Sequence, residues 1–196
     1  MIILKFYFST ITYDSFVRAG VESVSVGVDV DSYATCTRGV KIIPDKLLSD
    51  LSDDDLRSFD IVIIPGGAKG ANTLKDNKRV QHLLSDTYEK SGKFIGTICA
   101  GSLAVKTSNI ANGKRITSHP SVKSDLEKGL LLLILLLAFN FLIIYIDYDY
   151  SEDRVVQSNN LVSSRGPGTA FEFALKLIEL SLGKDHREAV AGPMIL

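Results

Sequence analysis

Cysteine is scarce in this chain. Cys36 and Cys99 are the only two in 196 residues, and they form no CxxC pair. A disulfide scaffold is therefore excluded, no spacing suits a zinc site or a thioredoxin-like pair, and a reducing, cytosolic setting fits best. Charge of one sign is equally absent. Twenty-two Lys and Arg against 23 Asp and Glu leave a net charge of −1, with no basic cluster. Neither nucleic acid nor an anionic membrane surface is expected as a partner. Proline (5) and glycine (15) are not enriched, no period repeats, and no linker divides the chain. The reading is a single domain over 1–196, long enough to bury a core without staples. The first residues, "MIILKFYFST", are apolar but short, without a charged leader or a small-residue cleavage site, and are not read as a signal peptide.

Long apolar runs are missing too, with one exception. "LLLLILLLAFNFLIIYI", residues 130–146, is broken by Asn140 and approaches the minimum length for a bilayer span.

What is there is alternation. "ESVSVGVDV" (22–30) has a period of two. "DIVIIPGG" (60–67) and "KFIGTIC" (93–99) are β-branched runs of the kind that fill buried parallel strands. "DKLLSDLSDDDLRSF" (45–59) holds short helical pieces. "NKRVQHLLSDTYEKSG" (77–92) carries Val80, Leu83, Leu84 and Tyr88 at helical spacing, with Gly92 as cap. A helix is expected over 100–110, a strand over 114–119 and a helix over 122–129. "RVVQSNNLVSSR" (154–165) reads as a hairpin turning at Asn159–Asn160. Over 168–184, Phe171, Ala174, Leu175, Ile178 and Leu182 make an apolar helical face closed by Gly183. Alternating strands and helices predict an α/β fold with a mostly parallel sheet between helical layers, and ligands bound at the carboxyl ends of its strands.

Two of those strand ends carry unusual residues. Cys99 sits where a strand meets a helix beginning near Ala100, a setting in which free N–H groups favour a thiolate. The small residues Ala100 and Gly101 permit a sharp nucleophile-elbow turn, although Thr97 stands where the hydrolase pattern has its first glycine. The Gly66–Gly67 loop can bring a backbone N–H close to a reacting oxygen. With the N–H of Ala100 it would form an oxyanion hole. His119, at the end of the next strand, would reach the same edge as a hydrogen-bond or proton-transfer group. Each feature also has a plain reading: a buried cysteine is commonly a small hydrophobe, a glycine pair a turn, a lone histidine structural.

Together these residues resemble the DJ-1 branch of the DJ-1/PfpI superfamily. The segments that carry the likeness are "FVRAG", "CTRGVKIIPD", "DIVIIPGGAKGANTL", "TICAG", "ITSHPSVK", "YSEDRVV" and "SSRGPGTAFEFAL", in that order. The resemblance implies a flavodoxin-like three-layer sandwich and a homodimer. It implies that Cys99 is an oxidation-prone nucleophile, with Gly67 and Ala100 supplying N–H groups beside it and His119 near the pocket. Arg38 resembles an arginine that reaches toward the partner subunit's site, and Cys36 a second cysteine near the dimer interface. Expected activities are cofactor-free, metal-free glyoxalase chemistry on methylglyoxal, deglycase action on glycated thiols or amines, redox sensing and chaperone-like protection. Peptidases of the wider lineage carry histidine after the cysteine; here Ala100 follows, and proteolysis is not expected.

The chain departs from the family twice. The family's proton-transfer glutamate falls on Phe8, and no glutamate precedes Glu22. The run at 130–146 interrupts a connection the family keeps short. Three readings compete for it: a membrane anchor, which would split one sheet across a bilayer; a tolerated insertion packed on a surface; and translated intron. Its Leu, Ile, Phe, Asn and Tyr content, shared with "MIILKFYF", favours the third.

Overall fold

β-branched runs separated by amphipathic segments form a seven-stranded sheet between two helical layers. The computed structural model describes residues 2–3, 8–36, 38–127 and 148–196. The run at 130–146 and residues 1 and 4–7 lie outside the described residues, and with them the competing readings of both.

In chain order the elements are β1 (Ile2–Ile3), α1 (Phe8–Arg18), β2 (Ser25–Gly27), β3 (Ala34–Thr35), β4 (Lys41–Ile42), β5 (Lys46–Leu47), α2 (Asp53–Ser58) and β6 (Ile61–Ile64). Then come α3 (Ala68–Asp76), α4 (Lys78–Glu89), β7 (Phe94–Ile98), α5 (Ser102–Thr107), β8 (Arg115–Ile116), α6 (Lys123–Glu127) and β9 (Asp149–Tyr150). The antiparallel pair β10 (Val155–Ser158) and β11 (Leu161–Ser164) precedes α7 (Ala170–Leu182) and α8 (Lys184–Ala191). The sheet runs β10-β11-β7-β6-β1-β2-β5. Every pairing in it is parallel except β10 with β11. The inner order β2-β1-β6-β7-β11 is flavodoxin-like, with β5 added at one edge.

Strand periodicity divides the core. Val62, Ile64, Ile95 and Leu161 face Leu74, Leu83, Leu84 and Val105 on one side. Ile63, Ile98 and Val162 face Phe16, Phe173, Leu177 and Ile178 on the other. Each such side chain removed from water contributes about 1.5–3 kcal/mol. Gly96 shows how closely α7 lies: a Cβ there would stand 2.7 Å from Leu177 and 2.8 Å from Phe173.

Helix ends obey local rules. Ser52 and Asp55 close a reciprocal capping box on α2, and the Asn77 side chain accepts from the N–H groups of Arg79 and Val80 at the start of α4. The helix expected over 77–92 ends at Lys90, and Gly92 takes a left-handed turn two residues later. On α7 the apolar face is centred on Phe173, Ala174, Leu177 and Ile178; Phe171 points outward and is 37% exposed. The helix begins at Ala170 after a tight Pro167–Thr169 turn; Ala174, Leu175 and Ile178 of the expected face are buried, and Phe173 and Leu177 join them in place of Phe171. The hairpin at Asn159–Asn160 is as expected, with Asn159 left-handed at φ 55°.

Residues 114–119 and 148–151 close a second, parallel ladder. Arg115 pairs with Asp149 and Ile116 with Tyr150. The Tyr148 hydroxyl donates to the Ile110 carbonyl at 2.8 Å, and the Lys123 ammonium pairs with Glu152 at 2.6 Å. The two chain ends that flank residues 128–147 are thus each tied to the body of the fold.

Candidate active site

The parallel strands β6 and β7 end side by side, and the residues just past their ends meet. At the end of β7 the chain turns into a short 3-10 turn, Cys99–Gly101, before α5. Cys99 takes φ 63°, a left-handed conformation that costs a non-glycine residue about 1–2 kcal/mol. Two glycines make the turn possible. A Cβ at Gly66 would stand 2.4 Å from Cys99 Cβ and 2.9 Å from the Ile98 carbonyl oxygen. One at Gly101 would lie 2.6 Å from the Ile64 carbonyl oxygen. The strained cysteine and the bare backbone beside it form one unit.

Gly67, at φ 106°, opens α3 and directs its N–H at Cys99. The sulfur accepts hydrogen bonds from the N–H groups of Gly67 and Ala100. Sequence reasoning named that pair, and the fold brings both to the same atom. The N–H groups at the helix start favour the thiolate as the sequence predicts, but burial outweighs them. Burial pushes the half-buried Cys99 thiol up, and the hydrogen bonds from Ala100 and Gly67 offset this only in part. Past the cysteine the chain forms a 3-10 turn and then a six-residue helix, together a weak source of positive potential.

A cleft of about 1140 Å³ opens over this turn at the carboxyl ends of the strands. Cys99, Ala100, Gly67 and His119 line it, and Cys36 and Arg38 line it from the β3–β4 hairpin of the same chain. His119 is fixed from both sides. Its backbone N–H donates to the Cys99 carbonyl at 3.4 Å. Its Nδ1 accepts from the Ser121 N–H at 3.1 Å and lies 2.8 Å from the Ser121 hydroxyl. With Nδ1 engaged as acceptor, a neutral imidazole carries its proton on Nε2. Cys36 is buried, its thiol 3.7 Å from the Ala34 carbonyl, and the turn beside it closes through Cys36 N–H to Val40 at 2.9 Å.

Below the cleft lies a hydroxyl network that the sequence reading passed over. Thr97 Oγ1 and Ser102 Oγ are 3.3 Å apart, and Ser102 also faces the Thr117 carbonyl at 3.3 Å. Ser163 on β11 accepts from the Thr117 N–H at 3.0 Å. Ser102, which also faces the Cys99 carbonyl, ties the cysteine turn to the segment that carries His119. The signal was present as small polar residues inside apolar strands, but periodicity alone does not distinguish it from solvent-facing positions. Phe8, at the family's glutamate position, opens α1. Asp125 is the carboxylate of the cleft lining among the described residues.

Comparison with known proteins agrees with this architecture. A model of the DJ-1/PfpI family matches residues 8–180. The glutathione-independent glyoxalase DJ-1 of Schizosaccharomyces pombe is 39% identical over 172 residues, covering 87% of this chain and 81% of that protein. The glutathione-independent glyoxalase DJR-1.2 of Caenorhabditis elegans is 34% identical over 186 residues, 95% of this chain and 87% of its own. The crystal structure of Drosophila melanogaster DJ-1beta superposes with a TM-score of 0.84 at 32% identity, covering 100% of this chain and 96% of that one. A strained cysteine between two backbone donors, on a flavodoxin-like sheet and in a chain matched over nearly its full length, leads to one conclusion: this protein belongs to the DJ-1/PfpI family.

Proposed function

We propose that this chain is a cofactor-independent glyoxalase that converts small α-oxoaldehydes such as methylglyoxal to 2-hydroxycarboxylic acids, with Cys99 as nucleophile. One observation carries the reading: the Cys99 sulfur stands at a strained turn, open to a cleft, with the N–H groups of Gly67 and Ala100 converging on it. The thiolate adds to the aldehyde carbon, and those donors stabilise the oxyanion that forms. A proton then moves from the aldehyde carbon to the neighbouring carbonyl carbon, oxidising the first and reducing the second. Water hydrolyses the resulting thioester and releases the acid and Cys99. One water is consumed overall and no external oxidant is needed. His119, with its proton on Nε2, serves as donor to a substrate oxygen. Glycated thiols and amines present the same carbon centre and are substrates on the same logic.

The carbon-to-carbon proton transfer lacks the family carboxylate, since its position is Phe8. General acid–base groups contribute about 10²–10⁴-fold, and turnover should be reduced by a comparable factor. Phe8 supports a second reading, a non-enzymatic redox sensor or chaperone that uses Cys99 oxidation alone. The two separate on methylglyoxal turnover by the full chain, Cys99→Ser and Phe8→Glu. Slow turnover abolished by Cys99→Ser and raised by Phe8→Glu supports the glyoxalase. No turnover in any of the three, with Cys99 readily oxidised, supports the sensor.

A homodimer is part of the proposal. Val17 on α1 and Tyr33, Val40 and Ile43 around the β3–β4 hairpin expose 43–80% of their surface, an apolar area suited to a second copy. Arg38 lies at the tip of that hairpin. Among the described residues no helix is long and apolar enough to cross a membrane, and the cytosol is the proposed location.

A further inference from the structure

Several of the cations that brace the helices and strand ends of this protein are paired. Arg18 binds Asp14, Arg79 binds Asp53, Arg115 binds Asp153, Arg154 binds Glu172, and Lys123 binds Glu152. The cleft above Cys99 differs. Arg38, Lys69 and Lys75 line it, and none of the three forms an ion pair among the described residues. Asp125 is the single carboxylate among the described lining residues. Helix α3 explains the arrangement. Ala68, Ala71, Asn72 and Lys75 recur at the spacing of one helical face, and all four line the cleft. Lys69 stands in the first turn, two residues after the N–H donor Gly67. Arg38 enters from the hairpin wall.

Size points the same way. The cleft holds about 1140 Å³, above the usual range of small-molecule sites and far more than a three-carbon aldehyde fills. We infer that the Cys99 cleft selects α-oxoaldehydes that carry an anionic group, carboxylate or phosphate, held by Lys69, Lys75 and Arg38 while the aldehyde carbon meets Cys99. Walls of low dielectric focus the field of these cations and raise the local concentration of an anion. The inference rests on the glyoxalase reading for the reaction itself, which is the internal redox step above, R–CO–CHO plus water giving R–CHOH–COOH with R bearing the charge.

The first test does not need turnover. Cys99 is alkylated with iodoacetate and with iodoacetamide in the full chain, and modification at Cys99 is read by peptide mapping. The ratio of the two rates, relative to the same ratio for glutathione, is expected to be about tenfold higher at low salt. It should fall toward that of glutathione in roughly 0.5 M salt and in the double variant Lys69→Gln, Lys75→Gln. Glutamine keeps helix propensity, so α3 is retained. The second test compares kcat/KM for methylglyoxal, 4,5-dioxopentanoate and a phosphorylated hydroxypyruvaldehyde; preference among the two anions identifies the headgroup. A rate ratio no higher than that of glutathione, or one unmoved by the double variant, overturns the inference whether or not methylglyoxal is turned over. A raised ratio without turnover of any aldehyde keeps the anion site and removes the glyoxalase reading.

Discussion

Two cysteines line one cleft, and nearly everything about them differs. Cys36 sits in a hairpin turn, buried, its thiol near the Ala34 carbonyl. Cys99 sits at a strand end, half-buried, in a left-handed conformation, with two N–H donors on its sulfur. A carbonyl near a thiol accepts its proton and does nothing for a thiolate; an N–H does the reverse. The contrast teaches that reactivity is written in the backbone around a cysteine, and residue type alone does not supply it.

The comparison breaks most sharply at the sulfur. Cys99→Ser is expected to lower methylglyoxal kcat/KM at least about 100-fold, below the detection of a discontinuous lactate assay. Cys36→Ser is expected to act on stability, with a loss of about 1–2 kcal/mol in urea unfolding, because a more polar hydroxyl replaces a buried thiol. If Cys36→Ser were the variant that abolished chemistry, the two roles would have to be exchanged. The next largest effect is Gly66→Ala. Its Cβ would press on Cys99 Cβ and the Ile98 carbonyl, so the turn must shift. A destabilisation of about 1–3 kcal/mol and roughly tenfold slower Cys99 alkylation are expected, against little change in accessibility at Cys36.

A pH series sharpens the same contrast. Burial holds the Cys99 thiol above its ordinary range, so its iodoacetamide rate should still be climbing past about pH 8.5, where an unperturbed thiol is half ionised. The linkage has the same sign. The folded state holds the Cys99 proton more tightly than the unfolded chain, so this contribution is present below the unfolded value. It is lost as pH rises through the folded one. A plateau below about pH 8 would mean that the N–H groups outweigh burial. The smallest effect concerns residues 130–146. Their flanks are held by the Arg115–Asp149 ladder and the Lys123–Glu152 pair. Deleting the segment should leave Cys99 alkylation intact and change stability within about 2 kcal/mol, the scale of chain-closure entropy. Loss of the fold would mean the segment is part of the core.

Much of this was legible from sequence because strong local signals agreed. The run Ile61–Ile64, the glycine pair after it and the cysteine after β7 all come from period, branching and turn chemistry. The Asn159–Asn160 hairpin needed only the left-handed tolerance of Asn. The illegible parts depend on distant partners. β3 and β4 are two residues each, too short for any period to register. The β8–β9 ladder joins residues on either side of 128–147, which spacing cannot foresee. On α7 the burial of Ala174, Leu175 and Ile178 follows from the apolar period, whereas Phe171 and Phe173 are told apart only by how the helix docks against Gly96 of β7. At the site, the backbone donors are legible because the glycine pair and Ala100 follow the ends of two strands that carry Cys99 and its family-like motif. The net effect on the thiol was not, because burial is a tertiary property. The cationic lining was missed because Lys69 and Lys75 look like an ordinary solvated helix face until α3 is docked beside Cys99.

The edges of the sheet carry a consequence for how molecules of this protein meet. One edge, β5, is two residues long, and the other, β10, runs against its neighbour, with Arg154 just before it bound to Glu172. Neither offers the long, flat, unsatisfied backbone on which a foreign strand could add. Among the described residues, sheet continuation is thus disfavoured as a route to assembly, and encounters between copies fall to side-chain surfaces such as the apolar area around Val40 and Ile43.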